Sequence, residues 1–303
     1  MKTYRANGKL LLIGEYIVTD GAKALALPTK RGQCLSVIEA SSSSNSILEW
    51  TAKKADETLW FSAEIDLISF GIISCTDRKL GESLLHILKQ ALELKPHFFE
   101  KNKRYCLETK LEYPQEWGLG SSSTLLDLLS QWMDIDVFEL NHKTFKTSGY
   151  DVACARHFSP IIFQNSPTNI VQEISLKWNF LDELYFVYLN KKQDTQAVVG
   201  NHYKNKPKDK QLIQRLNQMV IDLQNVSTLE DLEIILDDYQ TQLGAFMQLP
   251  KVKDALFPDY EGEVKSLGAW GGDFVMMTYR SGMYDYLANK GYTTIIPYRE
   301  LVF

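Results

Sequence analysis

A glycine-rich turn directly precedes a strongly amphipathic segment in the middle of the chain. Gly118 and Gly120 stand just before a run of four hydroxyl residues, Ser121 to Thr124. Glycines let a backbone approach a ligand closely, and the first amide groups of a helix, together with its dipole, attract anions. Hydroxyl groups here can bind phosphate oxygens or a magnesium ion. The sequence therefore predicts a phosphate-binding loop, although a serine-capped helix after a tight turn would give a similar pattern.

This loop differs from two common nucleotide-binding motifs. No lysine follows the glycines in the GxxxxGK[ST] arrangement, so the stretch is not a P-loop. It also lacks the GxGxxG spacing, and no preceding strand with a distant acidic residue supports a dinucleotide-binding fold. The pattern indicates an anion site of another kind.

Two further glycine-bearing segments lie near the ends of the chain, from Arg5 to Tyr16 and from Lys265 to Asp273. Together with Pro114 to Ser123 they resemble, in order and placement, the three motifs of the kinases of galactose, homoserine, mevalonate and phosphomevalonate (the GHMP kinases). Those motifs read approximately PGKxxLxGEH, PxxxGLGSSAA and GAGGGG. The resemblance implies a two-domain α+β fold, with the active site in the cleft between an N-terminal α+β domain and a ferredoxin-like C-terminal domain.

The resemblance assigns ATP binding to two of these loops. In the family the second motif wraps the nucleotide phosphates, and the third supplies close backbone contacts near the reacting phosphoryl group. The implied ATP-binding residues are Gly118, Leu119, Gly120, Ser121, Ser122, Ser123, Gly268, Gly271 and Gly272. Ser122 resembles the hydroxyl that binds magnesium. Glu139 is the nearest candidate for the acidic magnesium ligand, although its spacing departs from the family pattern.

Two charged residues match the family's catalytic positions. The segment from Ser148 to Ala153 resembles GSGxDxA, whose aspartate is the catalytic carboxylate in the mevalonate-type branch. The resemblance implies that Asp151 accepts or orients the proton of the attacking group and that Lys9 neutralises Asp151 and the acceptor oxygen. Glu15 matches a glutamate with a substrate-loop or structural contact. From the residues alone, Asp151 could instead cap a helix, and Lys9 could be a solvated lysine.

Two positions depart from the family pattern. Tyr16 stands where the first motif usually has histidine, and Trp270 stands where the third usually has glycine. Trp270 is expected either to narrow the pocket that its loop lines or to pack against the nucleotide or substrate. Asp273 closes the third loop as in the phosphomevalonate kinases, and the segment from Gly149 to Ala153 resembles the same branch.

These resemblances favour transfer of the ATP γ-phosphoryl group to phosphomevalonate or mevalonate. A basic run from Lys191 to Lys210 fits either a solvated loop and helix face or a contact with an anionic acceptor. Lys191 and Lys192 directly follow an apolar strand, where they could reach such an acceptor. A sugar or amino-alcohol GHMP kinase and a non-catalytic nucleotide-binding relative remain alternatives. A plain α+β interaction protein would leave the three glycine loops unexplained.

The surrounding elements are read from hydrophobic periodicity. Helical spacing predicts helices over 83–94, 121–133, 210–224, 228–247 and 282–290. Apolar runs and alternation predict strands over 10–13, 33–40, 47–50, 58–65, 105–111 and 184–189, with a strand, glycine loop and strand over 265–279. Ser41 to Asn45 is predicted to be a hairpin turn. The mixed order of strands and helices favours α+β. The resemblance to the GHMP kinases implies two domains, which we place over 1–175 and 176–303.

Composition limits the class of protein. The chain has 303 residues, with 33 Lys plus Arg against 38 Asp plus Glu. The acidic balance argues against a dedicated nucleic-acid binder. The four cysteines form no CxxC pair, which fits reduced thiols in a cytoplasmic protein, and the apolar run Leu10 to Ile13 is too short for a signal peptide or a membrane span. We expect a soluble intracellular protein. The resemblance to the GHMP kinases implies that it uses ATP and Mg²⁺, and a homodimer is one assembly that we consider.

Overall fold

The computed structural model describes residues 1–42, 46–165, 168–191, 203, 206–268 and 270–303. The chain divides into two compact units. The first unit comprises Met1–Gly8, Arg31–Gln115 and Leu119–Arg156, and the second comprises Lys9–Lys30, Glu116–Gly118 and His157–Phe303. The chain passes between the units more than once, whereas the sequence predicts a single passage near residue 175. The reason is that two long N-terminal strands contribute residues to both units.

The first unit is built on an antiparallel-rich sheet. Its strands are β1 (Lys2–Ile13), β2 (Lys23–Ser41), β3 (Ile47–Lys53), β4 (Leu59–Asp66), β5 (Gly71–Cys75) and β6 (Lys103–Leu111). Their order is β5-β4-β3-β6-β2, with β1 also paired to β2. Buried residues alternate along β3 and β6, so one face of the sheet carries the core.

Among its described residues, the first unit has four α-helices: α1 (Arg78–Leu94), α2 (Ser121–Met133), α3 (Val137–Lys143) and α4 (Tyr150–Cys154). The Asp77 side chain caps α1 by accepting the Leu80 amide, and the buried residues of α1 recur on one face. Leu126, Leu129 and Trp132 of α2 join the same apolar cluster as the sheet. This packing fixes the start of α2, where the second glycine motif lies.

The second unit contains a short antiparallel extension and a separate sheet. The N-terminal part of β2 pairs with β7 (Ile161–Asn165), which pairs with β8 (Asn169–Glu173). The separate sheet has the order β10-β11-β9-β12, and its strands are β9 (Leu184–Tyr188), β10 (Val264–Ser266), β11 (Phe274–Thr278) and β12 (Ile295–Pro297). Every residue of β10 and β11 is buried. The loop between these two strands is the third glycine motif.

The α-helices found in the described residues of the second unit are α5 (Lys210–Leu223), α6 (Leu229–Met247), α7 (Val252–Leu256), α8 (Met283–Asn289) and α9 (Tyr298–Leu301). Asp209 and Thr228 cap the two long helices through their side chains. No helix in the described ranges is long and apolar enough to cross a membrane. The four cysteines are free thiols.

The α+β class is confirmed, and the predicted helices are present within a few residues of their predicted ends. One local prediction is wrong. Strands β2 and β3 do not form a hairpin around the serine cluster, because β6 pairs with both and lies between them, antiparallel to β2 and parallel to β3. Residues 43–45 of that cluster lie outside the described residues.

Candidate active site

The second glycine motif enters α2 through a left-handed backbone. Gly120 is the N-cap of α2, with φ 93° and no side-chain capping bond. Thr124 is the first residue whose amide bonds along the helix, to the Gly120 carbonyl at 3.0 Å. The amides of Ser121, Ser122 and Ser123 therefore precede the helical hydrogen-bond ladder. This is the arrangement in which a helix start binds an anion.

The four hydroxyl groups of this segment have different surroundings. Ser123 is buried and donates to the Gly120 carbonyl at 2.9 Å. Thr124 is fully buried and donates to Gln33 Oε1 at 2.6 Å. Ser121 is half-buried and Ser122 is exposed. The sequence predicts ligand contacts for all these hydroxyls, but those of Ser123 and Thr124 form hydrogen bonds within the protein. Ser123 can therefore bind a phosphate through its backbone amide and not through its hydroxyl.

Asp151 lies in the first turn of α4 and does not cap it. The N-cap is Gly149, with φ 100°. Asp151 Oδ1 accepts from the Thr147 hydroxyl at 2.9 Å and from the Val152 amide at 3.1 Å. The side chain is half-buried. Two hydrogen bonds on one oxygen fix the orientation of the carboxylate, as a proton acceptor requires.

Lys9 contacts the backbone of Gly118, and both residues belong to the second unit. Its ammonium group donates to the Gly118 carbonyl at 3.0 Å, and the side chain is half-buried. The preceding residue, Trp117, is buried and packs edge-on against Phe274 of β11, with ring centroids 5.4 Å apart. Lys9 is therefore a fixed cation at the glycine turn, which excludes the interpretation of a solvated lysine.

Glu15 forms a buried ion pair that sequence reasoning missed. Lys265 of β10 is fully buried, Glu15 is 2% exposed, and the Lys265 ammonium group contacts both the Glu15 carboxylate and the Ser266 carbonyl. Tyr239 of α6 donates to Glu15 Oε2 at 2.8 Å and accepts the Gly14 amide at 2.6 Å. Burial lowers the pKa of Lys265, although Glu15 opposes this shift. The one available signal was a lysine inside a strand of otherwise buried residues.

The third glycine motif adopts left-handed backbone conformations at Gly268 and Gly271, with φ 67° and 82°. A Cβ on either glycine would meet no atom within 4 Å, so backbone conformation, not space, requires glycine there. The Gly271 amide donates to Ser266 Oγ at 3.2 Å. Gly272 is buried.

Asp273 joins the third motif to the second. Its amide donates to the Lys191 carbonyl and its carbonyl accepts the Leu189 amide, both at 2.8 Å. Its carboxylate occupies the space where a Cβ on Gly118 would lie. Only glycine is therefore tolerated at residue 118, where φ is also positive at 65°. Within the second unit, Gly118 is thus contacted by Lys9 from the first motif and by Asp273 from the third.

The other residues predicted from the sequence make none of the contacts at Gly118 described above. Leu119 is fully buried and contributes packing at the turn. Glu139 is exposed in the first turn of α3. Lys191 is described and exposed, whereas Lys192 and Lys204 lie outside the described residues.

The described side chains do not by themselves build a metal centre. In the described part of the chain, no group of three or more histidine, cysteine, aspartate or glutamate residues is arranged to hold a metal ion. Magnesium in phosphoryl-transfer sites takes one or two protein ligands and completes its shell with phosphates and water. The exposed Ser122 hydroxyl at the start of α2 fits such an ion. Assignment of Glu139 as a ligand stays a prediction.

Comparison with known proteins gives structural likeness at low sequence identity. No protein-family model matches the sequence, and no curated protein matches it. Mevalonate kinase from Methanococcus jannaschii matches with TM-score 0.69 and 16% identity, over 97% of this chain and 96% of that chain. Phosphomevalonate kinase from Streptococcus pneumoniae, in complex with phosphomevalonate and AMPPNP, matches with TM-score 0.67 and 14% identity, over 96% of each chain.

Galactokinase from Lactococcus lactis, complexed with galactose, also matches, with TM-score 0.61 and 13% identity over 96% of this chain and 88% of that chain. These three enzymes phosphorylate different acceptors, so the likeness extends across the family and not to one substrate. The chain has the GHMP kinase fold that its three glycine motifs predict.

Proposed function

We propose that this protein is an ATP-dependent small-molecule kinase that transfers the γ-phosphoryl group to a mevalonate-like acceptor. The observation that carries the proposal is the meeting of three sequence motifs at Gly118. Lys9 donates to the Gly118 carbonyl, and the Asp273 carboxylate fills the space where a Cβ on Gly118 would lie. Such a meeting has no explanation in a plain interaction protein. The GHMP kinase fold supports the same assignment.

The start of α2 is proposed to hold the ATP phosphates. The amides of Ser121, Ser122 and Ser123 supply donors, and the helix dipole adds a favourable potential for negative charge. The glycine at position 120 lets the phosphates approach the backbone. Magnesium, when bound with ATP, would supply positive charge to the phosphate oxygens, with the Ser122 hydroxyl as a ligand from this chain.

Asp151 is proposed to take the proton of the acceptor. An acceptor oxygen attacks the γ-phosphorus, the bond from that phosphorus to the β–γ bridging oxygen breaks, and ADP leaves with the bond's electrons. The acceptor proton passes to the Asp151 carboxylate. Because Thr147 and Val152 both donate to Oδ1, the Asp151 carboxylate is held in one orientation.

Lys9 is proposed to contribute positive charge at the turn of the second motif. Its ammonium group is already held by the Gly118 carbonyl, so the Lys9 side chain loses little further conformational entropy when the ligand binds. Negative charge that develops on the transferring group would be stabilised by such a preorganised cation. This role differs from simple neutralisation of Asp151, because the observed partner of Lys9 is the glycine loop.

The acceptor is proposed to be an acid of the mevalonate type, phosphorylated or not. Asp273 closes the third loop, and Lys191 contributes the carbonyl that holds the Asp273 amide. A neutral sugar would call for uncharged hydrogen-bonding groups in place of exposed lysines. Sugar and amino-alcohol kinase activities are the nearer alternatives, since they would use the same fold.

The test is an ADP-release assay with ATP and Mg²⁺ against mevalonate, phosphomevalonate, galactose and homoserine. We expect turnover with one of the two mevalonate compounds, and Asp151→Asn should lower kcat by about 10²- to 10⁴-fold with little change in AMPPNP affinity. Asp134→Asn, at a side chain that is 94% exposed, is the matched control. Binding of AMPPNP without turnover of any acceptor would instead favour a non-catalytic nucleotide-binding relative. Full turnover in Asp151→Asn would exclude the proposed role of Asp151.

A further inference from the structure

Tyr16, directly after the buried Glu15, has a strained backbone. Its φ and ψ are 65° and −55°, and the Ile17 amide donates to the Glu15 carbonyl at 2.7 Å across it. This is a γ-turn with positive φ at its centre, a rare form for any residue and a costly one for a bulky aromatic residue. Strain of this kind persists only where the surroundings enforce it, and it clusters at functional sites.

The phenol of Tyr16 reaches the third glycine motif. Its oxygen accepts the backbone amide of Trp270 at 2.8 Å, although 254 residues separate the two. Tyr16 is 5% exposed and Trp270 is 6% exposed. Tyr203 packs beside the Tyr16 ring, with centroids 6.0 Å apart. A buried hydrogen bond between a strained tyrosine and a loop amide fixes both partners.

The indole of Trp270 is held as firmly as its backbone. Its Nε1 donates to the Pro250 carbonyl at 2.7 Å. The ring lies against α6 at Gly244, where an added Cβ would be 3.3 Å from Trp270 Cζ2. The amide of the next residue, Gly271, bonds to Ser266 Oγ. Two successive amides of the loop are therefore satisfied within the protein, which is how a glycine-rich loop is kept in one conformation without ligand.

We propose that Tyr16 is a positioning residue: its phenol oxygen, by accepting the Trp270 amide, holds residues 270–273 of the third motif in the conformation that phosphoryl transfer needs. The catalytic part of this inference rests on the proposed kinase function. The anchoring part does not, since it concerns the protein without ligand. Because the carboxylate of Asp273 lies against Gly118, the hydrogen bond of Tyr16 also helps to position the second motif.

Tyr16→Phe removes the phenol oxygen and retains the ring that packs against Tyr203. The matched control is Tyr260→Phe, because Tyr260 is similarly buried at 6% exposure and donates to the Thr278 carbonyl at 2.6 Å, outside the three motifs. Amide hydrogen exchange in the ligand-free protein reports directly on the opening of the loop. Steady-state kinetics with the preferred acceptor report on its catalytic effect.

In Tyr16→Phe we expect exchange in the peptide spanning residues 267–275 to be roughly tenfold faster than in wild type, with no such change in Tyr260→Phe. We also expect kcat to fall by about 5- to 50-fold while KM for ATP changes by less than about twofold, since misplacement of a phosphoryl contact costs rate more than binding. Trp270→Phe, which removes the indole donor to Pro250, should accelerate exchange in the same peptide.

Unchanged exchange in Tyr16→Phe would overturn the anchoring, whatever the activity. Faster exchange with kinetics equal to those of Tyr260→Phe would overturn the positioning role. If wild type transfers no phosphoryl group to any acceptor, the proposed function fails, and the exchange measurement alone then decides whether Tyr16 anchors the loop.

Discussion

The ammonium group of Lys265 and the carboxylate of Glu15 form an ion pair that is closed to water, with exposures of 0% and 2%. Lys265 is the central residue of the buried strand β10, which leads into the third glycine loop, and Glu15 lies near the end of the first motif. Tyr239 completes the cluster by donating to the second carboxylate oxygen of Glu15. Charges this deeply buried contribute less through their attraction than through the cost of leaving either one alone.

We therefore predict that Lys265→Met destabilises the protein strongly. The substitution leaves the Glu15 charge buried with Tyr239 as its remaining donor, which should lower the free energy of unfolding by about 3–5 kcal/mol. The double variant Glu15→Gln/Lys265→Met should recover a large part of this loss, because it removes both charges. Urea unfolding followed by circular dichroism measures both.

The control for this prediction is an exposed pair. Arg78 and Glu82 lie one turn apart on α1 with side-chain exposures of 70% and 61%. Arg78→Met should change the free energy of unfolding by less than about 1 kcal/mol, as is usual for surface pairs. If Lys265→Met also lowered the free energy of unfolding by less than about 1 kcal/mol, the buried ion pair would be contradicted.

Gly118→Ala is predicted to be more harmful than an alanine at another left-handed glycine. At Gly118 the new Cβ would collide with the Asp273 carboxylate, in addition to the strain of a positive φ. Gly282 has φ 79° and no atom within 4 Å of an added Cβ, so Gly282→Ala measures the backbone strain alone. We expect Gly118→Ala to cost more free energy of unfolding than Gly282→Ala.

Removal of the colliding side chain tests the cause. The double variant Gly118→Ala/Asp273→Ala should lose less free energy of unfolding than the two single variants lose together, because the collision is then absent. Additive losses within about 0.5 kcal/mol would show that Asp273 and Gly118 do not interact as the structure describes.

Local patterns in the sequence predict the long helices and α8, but not the short helices α3, α4, α7 and α9. Helix α2 was predicted over 121–133 and extends from Ser121 to Met133, because its apolar residues repeat with the helical period and Gly120 begins it. Strand pairing was predicted less well. The parallel pairing of β3 with β6 requires a crossover that includes α1, and neighbouring strands in sequence give no sign of it.

In the candidate site, too, local features could be predicted from the sequence and long-range contacts could not. Glycines with positive φ could be predicted from their motifs, since few other residues adopt those conformations. The partners of Glu15 and Tyr16 could not, because Lys265 is 250 positions from Glu15 and Trp270 is 254 positions from Tyr16. Such pairs arise from tertiary packing and leave no periodic signal in the sequence.

Gly120→Ala is predicted to weaken nucleotide binding. The substitution strains the left-handed N-cap of α2 and places a methyl group where phosphate oxygens would approach the helix amides. Calorimetry with AMPPNP and Mg²⁺ should show at least about tenfold weaker binding, which corresponds to about 1.4 kcal/mol. Gly291→Ala, at φ 84° with no atom near an added Cβ, is the control for strain without a ligand site. Equal affinity in the two folded variants would exclude the start of α2 as the phosphate site.

Glu263, the residue that precedes β10, is predicted to make the stability of the protein depend on pH in the acid range. Burial raises the pKa of this carboxyl group above 4.5, against the opposing charge of Lys253. Glu263 is 4% exposed, and its Oε1 accepts from Gln240 at 2.8 Å. Between 4.5 and its raised value the folded state binds more protons at this group than the unfolded state does. The contribution of Glu263 to stability therefore falls as the pH rises through that interval.

Glu263→Gln should remove this dependence, since an amide is neutral at every pH and its oxygen can still accept from Gln240. Relative to wild type, the variant should gain stability as the pH increases from 4.5 towards neutrality, measured as the difference between urea midpoints at each pH. Glu57→Gln is the control with the opposite sign, because a hydrogen bond from Lys110 lowers the pKa of Glu57 and its contribution is lost as the pH falls. A midpoint difference for Glu263→Gln that is constant across this range would show that Glu263 does not titrate above its ordinary value, and that the buried carboxylate is fully compensated by Lys253 and Gln240.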